Sequence, residues 1–597
     1  MASASQPAKQ SDRILDLRSI LDALRQDGRI TSADVEKIST SPRGKDEAAK
    51  HPLIYLADQE LKDLKNADRI LDIDALITWL SVYSSQPYYR IDPLKINASA
   101  VTKVMSYAFA QRHNILAVEV NAEYVVIAST QPFVNSWEQN LEHVLKRPIR
   151  RVVANPAEIH RYSVEFYSLS RSISGANVVN EGGSTSITNL EQMLELGAMK
   201  DPDANDQHIV NIVDWLLQYA FSQRASDIHI EPRRDMGNIR FRIDGMLHQV
   251  YELPVGVLTA VTSRIKILGR MNVAEKRRPQ DGRVKTVTPE GQEVELRLST
   301  MPTAFGEKLV MRIFDPDVLL RSFAELGLTD DEYARWKHMT TQPTGIVLVT
   351  GPTGSGKTTT LYSTLKKLAV PEVNLCTIED PIEMVEPAFN QMQVQHNIDL
   401  DFAMGVRTLL RQDPDIIMVG EIRDLETAEM AIQAALTGHL VLSTLHTNDA
   451  PSAITRFLEL GVPSYLLNAT VLGVMAQRLV RTLCPKCKKA TEVDEKAWQQ
   501  LTSPWKVTPP AKMFRPVGCL DCRNTGYYGR LGLYEIMPIT ETVKEYIGEN
   551  CDLGKLRMQA VKEGMRTLRI SGAQKVGVGK TTIEEVMRVA PAFDKIN

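Results

Sequence analysis

The segment from Gly351 to Thr358 carries the residue types best suited to hold phosphate. It reads GPTGSGKT and directly follows the continuous apolar run from Gly345 to Thr350. Glycines leave backbone N–H groups open to phosphate oxygens, Lys357 would neutralise the β and γ phosphates, and the Thr358 hydroxyl can ligate Mg²⁺. The pattern therefore predicts an ATP-binding loop between a buried strand and a helix, with Gly351, Thr353, Gly354, Ser355, Gly356, Lys357, Thr358 and Thr359 around the nucleotide.

A second glycine and lysine stretch near the C-terminus tests how specific that pattern is. Residues 577–582 read GVGKTT, yet the first glycine of the pattern is replaced there by Gln574. No buried strand precedes this stretch, whereas a phosphate-binding loop requires one. The sequence therefore predicts a turn leading into a helix at 577–582, and it places the nucleotide at 351–358.

An acidic residue follows a second apolar run of the same region. The run from Ile416 to Val419 is followed by Gly420 and Glu421. A parallel sheet would place the end of this strand beside the phosphate loop. Phosphate-loop enzymes usually carry their metal-binding aspartate at the position that Gly420 occupies here. The acid next to that position, Glu421, could orient Mg²⁺ or a water molecule bound to it.

Three more carboxylates surround a proline in the segment TIEDPIE, residues 377–383. The proline fixes the turn, and one of the carboxylates could activate the attacking water. Alternatively, Glu379 or Asp380 could merely cap the next element, as acidic residues in turns often do. The spacing of the residues leaves both interpretations open.

Two histidines bracket a predicted apolar strand. His439 precedes the run LVLSTL and His446 follows it, with Thr444 and Thr447 nearby. A polar group there could sense the γ-phosphate of a bound nucleotide. Since single histidines are usually structural, the residues alone fit that simpler interpretation equally well.

Alternating residues in an earlier segment predict a charged strand face. Asp227, His229 and Glu231 share one face of a strand, and Arg240 and Arg242 share a face of the next strand. The first three could mimic a metal triad. Pairing of opposite charges across the two strands explains both segments without a metal, and we favour it. One of these arginines could also reach the phosphates of a nucleotide bound by a neighbouring subunit.

Four cysteines form two CxxC pairs. The pairs are separated by residues 488–518, which is a spacing suited to tetrahedral Zn²⁺. Because thiolates would fill all four positions, the site should be structural and not catalytic. The predicted zinc ligands are Cys484, Cys487, Cys519 and Cys522.

The chain is too long for one core, and its composition is that of a globular protein. It has 597 residues, 43% of them hydrophobic and 24% charged, with a formal net charge of −3. That charge gives no general reason to expect nucleic acid binding. No apolar run approaches the roughly 18 residues of a membrane span, and the first residues lack the apolar core of a secretory signal, so we expect a cytosolic protein.

Changes in composition and periodicity divide the chain into modules. The fold class expected is α/β and multi-domain. The expected boundaries are a tail with a short helical pair at 1–50, an α/β module at 51–169, a flexible linker at 170–202, an α+β domain at 203–320, and a nucleotide-binding domain at 321–597 that includes a zinc segment at 482–535 and C-terminal helices.

Several motifs together resemble those of the type II secretion and type IV pilus assembly ATPases. They are the phosphate loop GPTGSGKTTTLY, the acidic segment TIEDPIE, DPDIIMVGEIRD, TGHLVLSTLHTN and RASDIHIEP. The match covers roughly residues 203–589. The resemblance implies a RecA-like ATPase core, a preceding PAS-like domain and an N-terminal docking module. It also implies a homohexameric cytoplasmic ring that uses ATP and Mg²⁺ to drive pilin or pseudopilin assembly.

The resemblance also assigns roles to individual residues. It makes Glu383 the catalytic carboxylate, Glu421 the Mg²⁺-associated acid, and His439 and His446 the residues of the histidine box. The arginines that it brings towards ATP from the second module are Arg224, Arg240 and Arg242.

For partners, the resemblance implies peripheral attachment at the bacterial inner membrane through the cytoplasmic domain of a platform protein. The overall acidity and the lack of a basic, aromatic-rich stretch give no reason to expect direct nucleic acid contact. Some related N-terminal modules bind cyclic di-GMP, but residues 13–30 match that motif too weakly to predict it here. Alternatives within the same superfamily are a pilus-retraction motor, a DNA-translocating relative and a ring subunit that does not hydrolyse ATP.

Overall fold

Apolar runs and alternating segments become the strands of sheets that are covered by helices. The computed structural model describes residues 12–592 apart from 42, 45–46, 48–49, 66–69, 94, 179–203, 289–290, 315–320 and 520. The chain divides into two compact units, Met1–Ile313 and Phe314–Asn597. Both units combine helices and strands, which confirms the expected α/β, multi-domain class.

The N-terminal part of the first unit packs short helices against a small sheet. Asp16 and Ser19 form a capping box at the start of the first helix, and Ile20 and Leu24 bury its apolar side. In the sheet, the second strand pairs antiparallel with the first and parallel with the third. The elements are α1 Leu17–Gln26, α2 Ser32–Thr40, α3 Pro52–Ala57, α4 Ile73–Ser84, α5 Ala98–Thr102, α6 Tyr107–His113, β1 Ile115–Val120, β2 Val125–Ser129, α7 Glu138–Leu145, β3 Ile149–Val153 and α8 Pro156–Val178.

Two of the segments expected from composition, the linker and the N-terminal tail, can be compared with the described residues. Helix α8 continues to Val178, so it covers the first residues of the linker expected at 170–202. Residues 179–202 of that linker lie outside the described residues, as do residues 1–11 of the expected N-terminal tail.

The remainder of the first unit is an antiparallel six-stranded sheet with two helices. The strands lie in the order β6-β5-β4-β9-β8-β7. Ile228 of β4 and Phe241 of β5 are fully buried, whereas charged residues such as Asp227 and Arg242 occupy alternate positions of the same strands. The elements are α9 Gln207–Ser222, β4 Asp227–Glu231, β5 Met236–Ile243, β6 Met246–Pro254, α10 Val255–Leu268, β7 Gln280–Val287, β8 Glu293–Thr303 and β9 Gly306–Ile313.

The second unit is built on a seven-stranded sheet. Its order is β12-β11-β13-β14-β10-β15-β18, and every pair is parallel except β15 with β18. The central strands are buried on both faces, which explains their continuous apolar sequences. The strands are β10 Gly345–Thr350, β11 Leu375–Glu379, β12 Asn390–Gln393, β13 Ile416–Val419, β14 Leu440–Leu445, β15 Val471–Leu483 and β18 Tyr527–Pro538.

Helices cover this sheet, and a two-stranded ribbon carries part of the cysteine segment. The ribbon is β16 Lys489–Thr491 with β17 Met513–Arg515. The helices are α11 Phe323–Leu326, α12 Asp330–Thr340, α13 Lys357–Leu368, α14 Phe402–Leu409, α15 Leu425–Leu436, α16 Pro451–Glu459, α17 Ser464–Thr470, α18 Glu495–Thr502, α19 Glu541–Lys544, α20 Leu553–Lys562, α21 Leu568–Gly577 and α22 Ile583–Val589. No helix within the described part of the chain is both long and apolar enough to span a membrane.

Candidate nucleotide site and cysteine cluster

The loop from Gly351 to Gly356 joins buried strand β10 to helix α13. A Cβ atom on Gly351 would lie 2.5 Å from the Gln477 carbonyl oxygen of β15, and one on Gly356 would lie 2.8 Å from the Gln477 side-chain nitrogen. Gly356 also has a φ of 88°, which L side chains rarely adopt. At Gly351 a side chain would collide with the backbone of the neighbouring strand, and at Gly356 the backbone conformation itself favours glycine.

Lys357 lies in the first turn of α13 and bonds to its own loop. Its Nζ donates to the Gly351 carbonyl at 2.8 Å and to the Pro352 carbonyl at 3.3 Å. Burial lowers the pKa of Lys357 to about 8, although the negative charge of Glu421 opposes that shift. A phosphate that replaced the two neutral carbonyls would give this lysine a negatively charged partner.

The rest of the loop offers polar groups to a ligand. The Ser355 hydroxyl is buried without a hydrogen-bond partner, which is unusual for a polar atom. Thr353, Gly354 and Thr358 are exposed, and Thr359 is half-buried. A phosphate group held by the start of α13 fits this combination of an orphaned hydroxyl, open backbone and a desolvated lysine.

Glu421 and His446 meet at the same edge of the sheet. Glu421 follows β13 and His446 follows β14, and both strands run parallel to β10. The His446 Nε2 lies 3.3 Å from the Glu421 carboxylate, which also pairs with Arg423. Lys357 begins the helix that follows β10, so the three predicted residues follow the carboxyl ends of strands in one parallel sheet, and the negative charge of Glu421 favours the charged form of Lys357.

His439 lies at the other edge. It immediately precedes β14, whose first residue pairs with Gly345, the first residue of β10, whereas the phosphate loop follows the last residue of β10. A six-residue strand separates the two edges by about 20 Å. The His439 Nδ1 lies 2.8 Å from the Ala434 carbonyl oxygen at the end of α15. The structure therefore separates His439 from the cluster and gives it a local structural contact.

The acidic segment forms the turn after β11. Glu379 is buried and accepts hydrogen bonds from neighbouring side chains, and Asp380 lies 3.6 Å from the His396 ring. Neither carboxylate caps a helix, since the next regular element is strand β12. Glu383 lies within the turn with one carboxylate oxygen buried. Burial and the neighbouring Glu379 raise the pKa of Tyr362 on α13, and the charge of Glu383 adds a smaller contribution. The turn thus lies against the phosphate-loop helix.

The predicted arginines lie in the first unit and are engaged in ion pairs. Arg240 donates to Glu231 at 2.7 Å, and Arg242 lies 3.6 Å from Asp227. Arg242 lies directly opposite Asp227 in the register of β4 and β5, whereas Arg240 lies opposite His229 and reaches Glu231 diagonally. These ion pairs confirm the charge pairing favoured over a metal triad. Arg224 has a φ of 55° and lies 3.7 Å from Asp244.

Sequence reasoning did not single out two residues of β15 that line the loop. Arg478 is buried and donates to the Asn448 carbonyl at 2.7 Å, two residues beyond His446. Its guanidinium also helps to depress the pKa of Lys357, although burial contributes more. Gln477 accepts a hydrogen bond from Thr360 of α13 at 2.8 Å. The available signal was an amide and a charged residue directly after the apolar first half of the strand.

The four cysteines converge on one point. Their sulfur atoms all lie within 4.8 Å of one another, and three pairs are 3.7 Å apart. Four sulfurs bound at 2.3 Å to a tetrahedral Zn²⁺ lie about 3.8 Å apart, so the cluster fits this ion. Backbone N–H groups of Cys519 and Gly526 donate to the Cys522 sulfur, as they do to metal-bound thiolates.

Comparison with known proteins agrees with the site. Residues 203–588 match the family described as Type II/IV secretion system protein, and residues 84–173 match the MshEN domain. The chain is 54% identical over 584 residues to the type IV pilus assembly ATPase TfpB of Acinetobacter baylyi, covering 97% of this chain and 99% of that protein. It is 37% identical over 516 residues to the type II secretion system ATPase E of Vibrio cholerae, covering 86% and 94%.

Among solved structures, the pilus retraction motor PilT with bound ADP matches with a TM-score of 0.46 and 26% identity, covering 64% of this chain and 97% of that one.

A phosphate loop between a buried parallel strand and a helix, with acids at the neighbouring strand ends, defines a phosphate-loop nucleotide-binding protein. The chain belongs to the type II/IV secretion and pilus assembly ATPases, which are ATP-hydrolysing enzymes. The resemblance stated from the motifs is thereby confirmed.

Proposed function

We propose that this chain is the motor subunit that converts ATP hydrolysis into assembly of a type IV pilus or a related pseudopilus. The observation that carries this proposal is the meeting of Lys357, Glu421 and His446 at one edge of a parallel sheet. The assembly function draws on relatives named for it, which match nearly the whole chain. The 54% identity to a pilus assembly ATPase favours the pilus over a secretion pseudopilus.

Within this function, each residue of the edge has a chemical task. Lys357 and the loop amides hold the β and γ phosphates, and Thr358 and Glu421 would hold Mg²⁺, which would neutralise phosphate charge when bound. Glu383 accepts the proton of the attacking water. His446 and Arg478 donate to oxygens of the γ phosphate, where charge develops as the bond breaks. His439 has no task in this scheme.

The motor is a homohexamer in this proposal, and the arginines of the first unit reach ATP held by a neighbouring subunit. Arg224, Arg240 and Arg242 are the candidates, because a guanidinium binds phosphate as readily as the carboxylates that it pairs with here. Mixing Arg240→Ala subunits with Glu383→Gln subunits should restore part of the turnover at mixed interfaces. Equal loss in the mixture, with mixing verified by mass, would contradict action between subunits.

The cysteine cluster binds one structural Zn²⁺ per chain in this proposal. Protein purified under reducing conditions should contain about one equivalent of zinc, and a chelator should release it and loosen residues 482–535. Metal analysis that finds no zinc in such protein would contradict the assignment. We further propose that the N-terminal module docks on the cytoplasmic domain of an inner-membrane platform protein and so holds the motor at the membrane.

Phosphate release tests the enzymatic part of the proposal. Purified full-length chain should release phosphate from ATP only with Mg²⁺, and its mass by light scattering should correspond to six chains. Lys357→Ala should abolish release while the mass is unchanged. A wild-type ring without turnover in Mg²⁺ and ATP would contradict a self-sufficient motor, whereas turnover by a monomer would contradict the ring.

A further inference from the structure

A buried carboxylate that the proposed chemistry does not use lies beneath the acidic turn. Glu379, the last residue of β11, is only 4% exposed. Its Oε2 accepts from the Tyr362 hydroxyl at 2.6 Å, and its Oε1 accepts from Thr377 at 2.8 Å and from the Gln391 amide at 3.2 Å. All three donors are neutral, and none of the ion pairs among the described residues includes Glu379.

Burying a carboxylate without a cation destabilises the fold unless its hydrogen bonds are complete. An apolar residue at this position would destabilise the fold less. Burial, followed by the adjacent Glu379 charge, raises the pKa of Tyr362 far above its ordinary value, so the phenol remains a donor. The arrangement is therefore a fixed, fully engaged cluster.

The donors to Glu379 come from helix α13 and from β11 and β12, the two strands that flank the turn that carries Glu383. Tyr362 lies on α13, five residues after Lys357, and its hydroxyl is 3.1 Å from the Met384 carbonyl oxygen. The Gln391 amide of β12 donates to the same carbonyl at 2.9 Å. The side-chain oxygen of Gln391 in turn accepts from the Glu386 backbone N–H at 2.8 Å. The backbone immediately after Glu383 is thus tied to the phosphate-loop helix.

We propose that Glu379 is a positioning residue, which locks the Tyr362 and Gln391 side chains so that Glu383 is held at a fixed place relative to Lys357 and the bound phosphates. The proposal rests on the catalytic role proposed for Glu383. Glu379 itself is too deeply buried to touch the nucleotide. It acts on hydrolysis because a displacement of about 1 Å in a catalytic group can lower a rate by about 100-fold.

The test compares full-length Glu379→Gln with wild type in steady-state phosphate release and nucleotide binding. The substitution keeps the shape of the side chain but replaces one acceptor oxygen with an amide NH2 group, which is a donor facing donors, so the cluster must rearrange. We expect kcat to fall by about 10- to 100-fold, while KM and the Kd for ADP change by less than about threefold, since the phosphate loop is untouched. Hydrogen exchange should speed up in residues 380–386 and not in 416–421.

A matched control separates positioning from general loss of stability. Glu332 is another 4% exposed acid of this unit, and it accepts from Ser571 at 2.9 Å, away from the turn. Glu332→Gln should keep kcat per folded molecule within about twofold. If Glu379→Gln does not fold, Gln391→Leu, at a half-buried site, replaces it and should give the same split between kcat and KM.

The outcomes are distinguishable from failure of the proposed function. A kcat for Glu379→Gln that matches the Glu332→Gln control, or faster exchange throughout the unit, would overturn the positioning role. Glu383→Gln is measured in parallel. If that variant turns over normally, the catalytic assignment of Glu383 fails, and the positioning proposal fails with it. If only Glu383→Gln is impaired, the positioning proposal alone is overturned.

Discussion

Charged side chains gather in two places of this chain, and their partners differ. On the strand face of the first unit, the Glu231 carboxylate receives three cations, Arg240 at 2.7 Å, Arg233 at 2.9 Å and Lys308 at 3.2 Å. At the loop of the second unit, Lys357 donates to two backbone carbonyls. An arginine of the first cluster must leave a carboxylate before it can bind phosphate, whereas Lys357 need only exchange two neutral carbonyls. The contrast separates cations that are paired with carboxylates in this structure from a cation whose present partners are neutral.

The largest effect expected at the loop edge is on turnover. Glu383→Gln removes the proposed proton acceptor without changing the size of the side chain, so kcat should fall by about 10²- to 10⁴-fold while ATP still binds. Quenched-flow measurement of a single turnover would give the rate of the chemical step. The control is Glu386→Gln in the same turn, whose carboxylate pairs with Lys366, and it should stay within about threefold of wild type. Equal rates for both variants would break the comparison.

Removing an acid from the strand face should instead reduce stability. Glu231→Gln leaves three cations around a side chain that is only 2% exposed, so the free energy of unfolding should fall by about 3 kcal/mol. Urea unfolding measures this change, and Glu293→Gln, at an exposed position of β8, should alter it by less than about 0.5 kcal/mol. A loss no larger than that of the control would mean that this charge cluster does not stabilise the unit.

The same acid gives a pH dependence whose sign follows from its pKa. Burial raises the pKa of Glu231, but hydrogen bonds from Arg240 and Lys308 outweigh burial and hold this pKa below its ordinary value. The stabilisation is therefore complete above about pH 4.3, the ordinary value, and is lost as the pH falls through the lowered pKa.

The two histidines sharpen the comparison within one unit. His446→Ala should lower kcat by about tenfold, because the ring lies beside Glu421 at the loop edge. His439→Ala should change kcat by less than about threefold and lower the melting temperature slightly, since it removes a contact with the Ala434 carbonyl. Steady-state kinetics with thermal unfolding would measure both. A larger kinetic effect for His439 would contradict the separation of the two edges.

The smallest effect expected is a change of nucleotide affinity with pH. Lys357 has a pKa of about 8 before a ligand binds, and bound phosphate favours its charged form. Affinity should therefore be highest below pH 8 and fall by at most about tenfold between pH 7 and 9. Titration with fluorescent ADP measures this change. Lys357→Arg should remove the dependence because a guanidinium stays charged, and an equal slope in both proteins would contradict the assignment.

The sequence was sufficient where chemistry is local to a short segment. The loop at 351–358 could be recognised because its spacing, preceding strand and following helix are adjacent in the chain. The cross-strand pairs of Arg240 and Arg242 followed from alternation in two neighbouring strands. The two CxxC pairs likewise predicted the cluster that the four cysteines form.

The remaining features depend on tertiary structure. Arg478 reaches the loop only because β15 lies beside β10, although 120 residues separate the two strands. The cluster around Glu379 joins a helix to two strands, and no periodicity in the sequence reveals it. His439 and His446 look equivalent in a motif, yet a parallel strand places its two ends at opposite edges of the sheet.

The most direct test of the central claim measures ATP binding and hydrolysis by wild type and Lys357→Ala in the same samples. We predict that wild type binds and hydrolyses ATP, and that Lys357→Ala loses hydrolysis and most of its affinity for ATP. Its unfolding free energy should not fall, because the lysine is held in a desolvated position. Retention of wild-type affinity and turnover by Lys357→Ala would contradict the assignment of this edge as the site of ATP hydrolysis.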